Sequence, residues 1–240
     1  MSAPVVDDPH FSLVVLCYRS GTSIIPRVEK LHQTLCFLRQ NWEIVLVGNY
    51  VEGSQDETPN VVTELAQRFP NVRALTLPKK GMMGWDMRTG LDEARGTLIG
   101  VIDGDGQFPF ESIFACLFKM EFQDLDLVKT YRVRRRDGLY RFIISKGYNL
   151  LFRLLFGFGD GDLNAKPKIL KRDKYQQLGL QSDDWFVDAE IMIRAHEIGL
   201  KIGHVPIEFE SNRDRDSFIK PAAVWEFLVN LLRYRFGDRR

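Results

Sequence analysis

Short apolar runs alternate with longer segments of helical periodicity over the first two thirds of the chain. The runs at 11–17, 43–48, 72–77 and 97–103 lack polar alternation, which predicts strands covered on both faces. Helical spacing at 24–39, 57–69 and 83–94 predicts the connections between them. Strands that alternate with helices indicate a mostly parallel, doubly wound α/β sheet, which binds ligands at the carboxyl ends of its strands.

The pattern changes in the last third of the chain. We predict a strand at 126–132, a long helix at 139–156, a glycine-rich turn at 157–161 and a helix at 187–198. A strand at 205–209 and a helix at 222–236 with one apolar side follow. Because no repeat, low-complexity tract or linker interrupts the chain, we expect one catalytic domain over 1–220 and an amphipathic C-terminal helix over 221–240.

Composition narrows the functional classes. The 240 residues are 45% hydrophobic and 27% charged, which suits a folded domain with a full core. A formal net charge of +1 gives no overall field that would recruit nucleic acid, so a basic function must lie in local clusters such as the one at 132–136.

The cysteines and the chain start predict a cytoplasmic location. Cys17, Cys36 and Cys116 are odd in number and far apart, which argues against a disulfide framework or a zinc site and favours a reducing compartment. No apolar run approaches the roughly 18 residues of a spanning helix. Residues 1–9 lack the basic and apolar regions of a leader.

The most informative motif follows the fourth predicted strand. Asp103-Gly104-Asp105 places two carboxylates, followed by the amide of Gln107, where α/β proteins bind ligands. If the strand continued, alternation would place Asp103 and Asp105 on the same side. Hard oxygen ligands suit Mg²⁺ or Mn²⁺, which commonly bind one or two carboxylates plus substrate phosphates. An Asp/Gly turn without a ligand is the plainer interpretation of an isolated Asp-x-Asp.

The string at 102–109, Ile-Asp-Gly-Asp-Gly-Gln-Phe-Pro, resembles the aspartate motif of family-2 inverting glycosyltransferases with the GT-A fold. It is most similar to that of the dolichyl- and polyprenyl-phosphate mannose or glucose synthases. The resemblance implies a nucleotide-sugar donor, a metal held by Asp103, Asp105 and Gln107, donor contacts at Asp103 and Gly104, and a catalytic role for Asp105.

The resemblance extends from about residue 11 to residue 220. The segment at 90–96 resembles the family's Gly-x-x-x-Ala-x-Gly helix, and 132–149 resembles its post-strand arginine and Arg-x-x-x-Ser-x-x-x-Asn helix. Residues 199–209 resemble a late strand of the family. Arg213 with Ser217 resembles a closing element, which implies that Arg213 contacts the donor.

The donor pocket departs from the family pattern. The proline and asparagine that usually follow the first strand are replaced at 16–21, and the paired acidic motif after the second strand is replaced at 48–56. Tyr18 and Asn49 are the donor-binding candidates that remain, since the amide of Asn49 both donates and accepts hydrogen bonds. The identities of the nucleotide and the sugar stay open.

Arg141, Ser145 and Asn149 recur every four residues, so they share one face if 139–156 is helical. A guanidinium, a hydroxyl and an amide in line can bind phosphate oxygens, although a solvated polar face has the same spacing. The resemblance assigns these positions, with Arg132, to the acceptor phosphate. It also aligns Asp162 with an aspartate near the acceptor, where loop capping is the alternative.

The apolar sides of the helices at 139–156 and 222–236 have two interpretations. Core packing accounts for such residues in most amphipathic helices. Contact with lipid, with arginines at anionic headgroups, is the other interpretation. It predicts a peripheral protein on the cytoplasmic face of a membrane.

The chemistry of the acceptor decides whether a base is needed. A lipid monophosphate is already largely anionic at pH 7, because its second pKa is about 6. A hydroxyl acceptor needs a carboxylate to take its proton, and Asp188 or Glu190 is the candidate. The alternative for this pair is a structural role as acids at a helix N-terminus.

Three other functions fit the sequence less well. A nucleotidyltransferase would open with a Gly-rich phosphate loop, of which 19–22 is a poor version, and a dehydrogenase would carry Gly-x-Gly-x-x-Gly after the first strand. A catalytically silent binding protein that retains the fold is the third, because the region around Asn49 is altered.

Overall fold

The computed structural model describes residues 8–135, 139–159, 161–209 and 221–236. The strands are β1 Phe11–Leu16, β2 Trp42–Val47, β3 Val72–Leu75, β4 Leu98–Asp103, β5 Leu127–Arg135, β6 Lys168–Lys171 and β7 Ile202–Phe209. The helices are α1 Ile25–Leu35, α2 Thr58–Arg68, α3 Met83–Glu93, α4 Ser112–Phe122, α5 Leu139–Phe156, α6 Arg172–Leu178, α7 Val187–Glu197 and α8 Pro221–Phe236, and a 3-10 turn at Gly21–Ile24 precedes α1.

The strands form a single mixed sheet in the order β3-β2-β1-β4-β6-β5-β7. β1 pairs in parallel with both β2 and β4, and β6 runs antiparallel to β4 and β5. The chain leaves β1 towards β2 and β3 and then returns to the other side of β1 with β4, so the strand order reverses between β1 and β4. Such a reversal opens a ligand-binding crevice at the carboxyl ends of the strands. The predicted α/β fold with a mostly parallel sheet flanked by helices is confirmed.

Three elements were not predicted: α4, β6 and α6. β6 has only four residues, Lys-Ile-Leu-Lys, and fills the gap between two longer strands, so its place depends on tertiary pairing that local sequence does not show. Helix α4 is apolar on most of its surface, which obscures its helical period.

The sheet separates two hydrophobic cores. Leu13 and Val15 of β1 belong to one core and Val14 belongs to the other, as the alternation of side chains along a strand requires. The first core is completed by α1, α2 and α4, and the second by α3, α6 and α7. Both faces of the sheet are therefore covered, which explains the continuous apolar runs in the sequence.

The Gly-x-x-x-Ala-x-Gly segment owes its glycines to close packing. A Cβ at Gly90 in α3 would lie 2.5 Å from Cγ1 of Val14 and 2.7 Å from Cγ2 of Val47. A Cβ at Gly96 would lie 2.6 Å from the backbone nitrogen of Ser12. Helix α3 thus rests directly on β1 and β2, and this contact fixes the chain that leads into β4.

The C-terminal helix α8 packs against α5. Leu231 is fully buried in the second core, and Arg235 Nε donates to the backbone oxygen of Leu155 at 2.9 Å. Asn230 Nδ2 donates to Asp184 Oδ2 at 2.6 Å. Within the described ranges no helix combines the length and the apolar character that crossing a membrane requires.

Replacing Gly90 by Ala should lower the free energy of unfolding by about 1–3 kcal/mol, because the new methyl group overpacks α3 against Val14 and Val47. Gly147 in α5 is the matched control, since a Cβ there meets no atom within 4 Å. Gly147→Ala should raise the free energy of unfolding by about 0.4–1 kcal/mol. Urea unfolding of both variants checks the contrast, and equal effects would contradict the close packing of α3.

Candidate active site

The acidic motif lies at the reversal between β1 and β4. Asp103 ends β4 beside Leu16 of β1, and the N–H of Gly104 donates to the backbone oxygen of Leu16 at 2.9 Å. A Cβ at Gly104 would lie 2.9 Å from the backbone oxygen of Leu16, which cannot move aside as a side chain can, so this position favours glycine. The strand ends here and the chain turns, so Asp105 lies in a turn and not on a continuing strand.

The two carboxylates repel each other. Burial, together with the neighbouring charge of Asp103, raises the pKa of Asp105 to about 6. Asp105 Oδ1 accepts the backbone N–H of Gln107 at 3.0 Å, which closes the turn. A bound cation would relieve this repulsion, and the oxygen donors suit Mg²⁺ or Mn²⁺. Within the described ranges no three His, Cys, Asp or Glu side chains come together to hold a metal, so an ion at this strand tip would depend on two carboxylates together with other oxygen donors.

Two buried lysines connect the strand tip to α7. Nζ of Lys166 lies 3.4 Å from Oδ2 of Asp103 and 3.1 Å from Oδ2 of Asp188, and Nζ of Lys168 donates to Oδ1 of Asp188. Burial disfavours the charge of Lys166, but Asp103 and Asp188 outweigh burial and raise its pKa above the ordinary value. Burial also opposes the charge of Asp188, and here the two lysines prevail and lower its pKa. These pKa directions favour the charged forms of Lys166 and Asp188, whereas burial is the largest influence on Lys168 and lowers its pKa.

The carboxylates predicted as alternative bases have protein partners. Asp188 is 1% exposed and is held by the two lysines. Glu190 is 3% exposed, and its two oxygens accept the backbone N–H groups of Gln181 at 3.0 Å and Ser182 at 2.8 Å. Both lie in the first turn of α7, as the structural alternative expected. Their catalytic roles stay predictions.

A second polar network lies at the ends of β1 and β2. The fully buried Asn49 accepts the N–H of Leu77 at 2.9 Å and donates to Oδ1 of Asp86 at 2.9 Å and to Thr89 Oγ1 at 3.3 Å. Because both ends of the amide have protein partners, Asn49 organises the start of α3. Its contact with a nucleotide base stays a prediction.

Lys79 completes this network. Its Nζ pairs with Oδ2 of Asp86 and lies 4.2 Å from the centroid of the Tyr18 ring. The side chains of Lys79 and Asp86 are only 8% and 5% exposed. A buried ion pair and a cation–π contact thus fix Tyr18, the predicted donor-binding residue after β1.

The predicted acceptor residues are described in part. Arg132 forms a two-point contact with Asp162, from Nη2 to Oδ1 at 2.6 Å and from Nε to Oδ2. The backbone positions of Arg141 and Ser145 lie in α5 with that of Asn149, as the helical spacing predicts. Oδ1 of Asn149 is buried and has no hydrogen-bond partner within the described part of the chain. Arg213 and Ser217 lie outside the described residues.

Five charged residues near the predicted sites were not found from the sequence. Four of them belong to the buried ion pairs described above, those with Asp188 and the pair after β3. The fifth, Arg27, donates from Nη1 to the backbone oxygen of Gly104 at 3.3 Å. Lysines are almost never buried, so local pattern places them at the surface. The one available signal is Ala-Lys-Pro-Lys at 165–168, two lysines in a segment that otherwise leads into an apolar strand. The residues concerned are Arg27, Lys79, Asp86, Lys166 and Lys168.

The family model and the relatives that match this chain are all glycosyltransferases. The family model described as "Glycosyl transferase family 2" matches residues 12–184. A dolichyl-phosphate beta-glucosyltransferase of Trichomonas vaginalis is 28% identical to this chain, with 98% of this chain and 77% of the relative covered. A dodecaprenyl-phosphate galacturonate synthase of Rhizobium johnstonii is 29% identical, with 74% of this chain and 52% of the relative covered.

A solved structure shares the fold. Glucosyl-3-phosphoglycerate synthase from Mycobacterium tuberculosis, in complex with Mn²⁺, UDP-glucose and phosphoglyceric acid, superposes with a TM-score of 0.70. The alignment covers 97% of this chain and 81% of that chain at 16% sequence identity. At this identity the likeness shows the GT-A fold alone.

Replacing Lys79 by Met should destabilise the protein by about 3–5 kcal/mol, because it leaves the carboxylate of Asp86 buried without its cation. The double variant Lys79→Met/Asp86→Asn should recover much of that loss. The adjacent, exposed Lys80 is the matched control, and Lys80→Met should change the free energy of unfolding by less than about 0.5 kcal/mol. Chemical denaturation measures all three, and a neutral Lys79→Met would show that the pair is not buried in solution.

Proposed function

The chain belongs to glycosyltransferase family 2, and on that premise we propose that it moves a hexose, with inversion, from a nucleotide-diphosphate sugar to a polyprenyl phosphate of the dolichyl type at a membrane surface. That it is a glycosyltransferase using a nucleotide sugar follows from the family. The acceptor, the metal and the membrane contact are the proposed parts. We base the choice of acceptor on one observation: other groups of the protein already hold both carboxylates that could act as a base.

A hydroxyl acceptor must give up a proton as it attacks the anomeric carbon. The carboxylate of Asp188 is paired with two lysines, and that of Glu190 accepts two backbone N–H groups. Neither carboxylate is presented to an acceptor, whereas a phosphate oxygen is already anionic and needs no base. The names of the two relatives, which act on dolichyl phosphate and dodecaprenyl phosphate, support the same choice.

Asp103, Asp105 and Gln107 fit a divalent ion, because two mutually repelling carboxylates lie beside an amide at the β1–β4 reversal. Such an ion, when bound, neutralises charge on the leaving diphosphate. The turn at Gly104 keeps the backbone close to β1, and the N–H of Gln107 holds the carboxylate of Asp105 in place. We assign the donor diphosphate to this strand tip and the sugar to the space in front of it.

Arg132, Arg141, Ser145 and Asn149 are the proposed binding groups for the acceptor phosphate. Three of them recur at one-turn intervals along α5. We add Arg132 of β5 to this set, and its contact with Asp162 fixes the plane of the guanidinium. A fixed arginine loses less conformational entropy when it binds a phosphate than a mobile one does.

Helices α5 and α8 have apolar side chains that are exposed to solvent and do not pack in the core. Phe152 and Leu231 are buried, in agreement with core packing. Leu150, Leu154 and Phe236 are 59%, 74% and 73% exposed, and exposed arginines accompany them at positions 153, 233 and 235. Exposed apolar groups among cations suit an anionic lipid surface, so we propose peripheral contact with the cytoplasmic face of a membrane.

The acceptor class can be tested directly. With UDP-glucose and GDP-mannose as trial donors, we expect sugar transfer to a short-chain polyprenyl phosphate and none to the matching polyprenol, because only the phosphate is anionic. Arg141→Ala should reduce use of the phosphate acceptor by about tenfold or more while the nucleotide affinity stays the same. Arg39→Ala, which replaces an exposed arginine between α1 and β2, is the control. Transfer to 3-phosphoglycerate or to the polyprenol instead would contradict the proposed acceptor.

The metal site has its own test. Asp105→Asn should lower the transfer rate on the order of a hundredfold and abolish its dependence on Mn²⁺ or Mg²⁺, because one of two carboxylate ligands is lost. Asp173→Asn, an exposed acid in α6, should leave both unchanged. Steady-state rates over a Mn²⁺ titration measure the effect. Unaltered kinetics in Asp105→Asn would remove the metal assignment.

A further inference from the structure

A buried ammonium group lies beside the proposed metal ligands. Lys166 is 2% exposed, and its Nζ contacts the carboxylates of Asp103 at 3.4 Å and Asp188 at 3.1 Å. Its charge also acts on Asp105. A lysine is rarely buried so completely, and the cost of removing it from water is large unless carboxylates offset it. Its contact with the strand tip therefore calls for a functional explanation.

We propose that Lys166 is a built-in cation that holds Asp103 until the donor arrives, so that a divalent ion binds weakly alone and tightly only together with an anionic diphosphate. The inference rests on the proposed metal site at Asp103 and Asp105. It makes Lys166 a positioning residue that couples the binding of two ligands.

The formal charges of the cluster support this coupling. Counted formally, its three carboxylates are balanced by two ammonium groups and by the guanidinium of Arg27, which lies at the turn and acts on Asp105. A divalent ion alone would make this poorly solvated region net positive, and charges interact strongly there because water screens them little. An ion that binds together with a diphosphate would not make the region net positive, because the diphosphate brings negative charge. The groups are those of Asp103, Asp105, Asp188, Lys166 and Lys168.

The contacts also show why Lys166 is the residue that sets this coupling. Lys168 contacts Asp188 and the backbone oxygen of Ala165 at 3.1 Å, whereas Lys166 bridges Asp188 to the metal ligand Asp103. If Lys166 is replaced, Asp188 keeps Lys168 as its cation. The positive charge beside Asp103 can therefore be removed while Asp188 remains paired.

The experiment measures Mn²⁺ binding in the absence of nucleotide, by the loss of the electron paramagnetic resonance signal of free Mn²⁺. Lys166→Met and Lys166→Gln should bind Mn²⁺ at least about fivefold more tightly than the wild type, the lower range for coupled sites. Lys166→Gln retains hydrogen-bond donors for both carboxylates, and it decides the matter if Lys166→Met does not fold. Circular dichroism and thermal melting establish that each variant is folded.

Two controls isolate the position of the charge. Lys166→Arg keeps a cation beside Asp103 and should bind Mn²⁺ as the wild type does. Lys171→Met removes a lysine from the far end of β6, the strand that follows Lys166, where it pairs with Asp124 and Asp126, and should also be unchanged. Mn²⁺ affinity that stays equal or falls in folded Lys166→Gln overturns the proposal.

A further variant separates this inference from the proposed function. Asp105→Asn, introduced into the wild type and into Lys166→Gln, should weaken Mn²⁺ binding in both. If Mn²⁺ binding is indifferent to Asp105→Asn in both backgrounds, the ion does not bind at the strand tip, and the metal site of the proposed function fails. If Asp105→Asn weakens binding but Lys166→Gln does not strengthen it, only the role of Lys166 fails.

Discussion

The repulsion between Asp103 and Asp105 is the constraint around which the candidate site is arranged. Two carboxylates at the end of a buried strand oppose folding unless cations offset them, and the pKa of Asp105, raised to about 6 by burial and by Asp103, reflects that opposition. The protein places Lys166 against Asp103 and Arg27 against the turn. Lys166 then requires Asp188, and Asp188 holds Lys168. One unfavourable pair thus accounts for a chain of buried charges that extends from β4 to α7.

The sequence was sufficient to predict most of the fold because its strands are continuous apolar runs between helical segments. The bounds of α5 agree with the prediction, and those of β4 differ from it by a single residue. Prediction failed where structure depends on tertiary contact: β6 is a strand because β4 and β5 leave room for it. The sequence allowed both a continuing strand and an Asp/Gly turn after Ile102, and the structure has the turn, at which the N–H of Gly104 donates to the backbone oxygen of Leu16.

The site was predicted less completely, and the reason is physical. Asp103 and Asp105 were found because carboxylates after a buried strand are conspicuous. Lys166 and Lys168 were not, since a lysine in sequence indicates a solvated side chain and its burial can be inferred only from the carboxylates that surround it in space. The same limit applies to Asp188. Whether it can act as a base or has a structural role depends on its partners in space, and these lie about 20 residues away in the chain.

The altered donor region shows how a missing motif can be offset in three dimensions. The segment after β2 carries Asn49 where the family usually has acidic residues, so the position directly after this strand has no carboxylate of its own. Helix α3 supplies one: Asp86 lies against the amide of Asn49 at 2.9 Å, with Lys79 and Tyr18 on its other side. Because Gly90 allows α3 to rest on β1 and β2, this carboxylate reaches the strand ends. An acidic group is therefore present near the end of β2, but α3 supplies it in place of the segment after the strand. This argues against the alternative of a catalytically silent protein with an altered donor pocket.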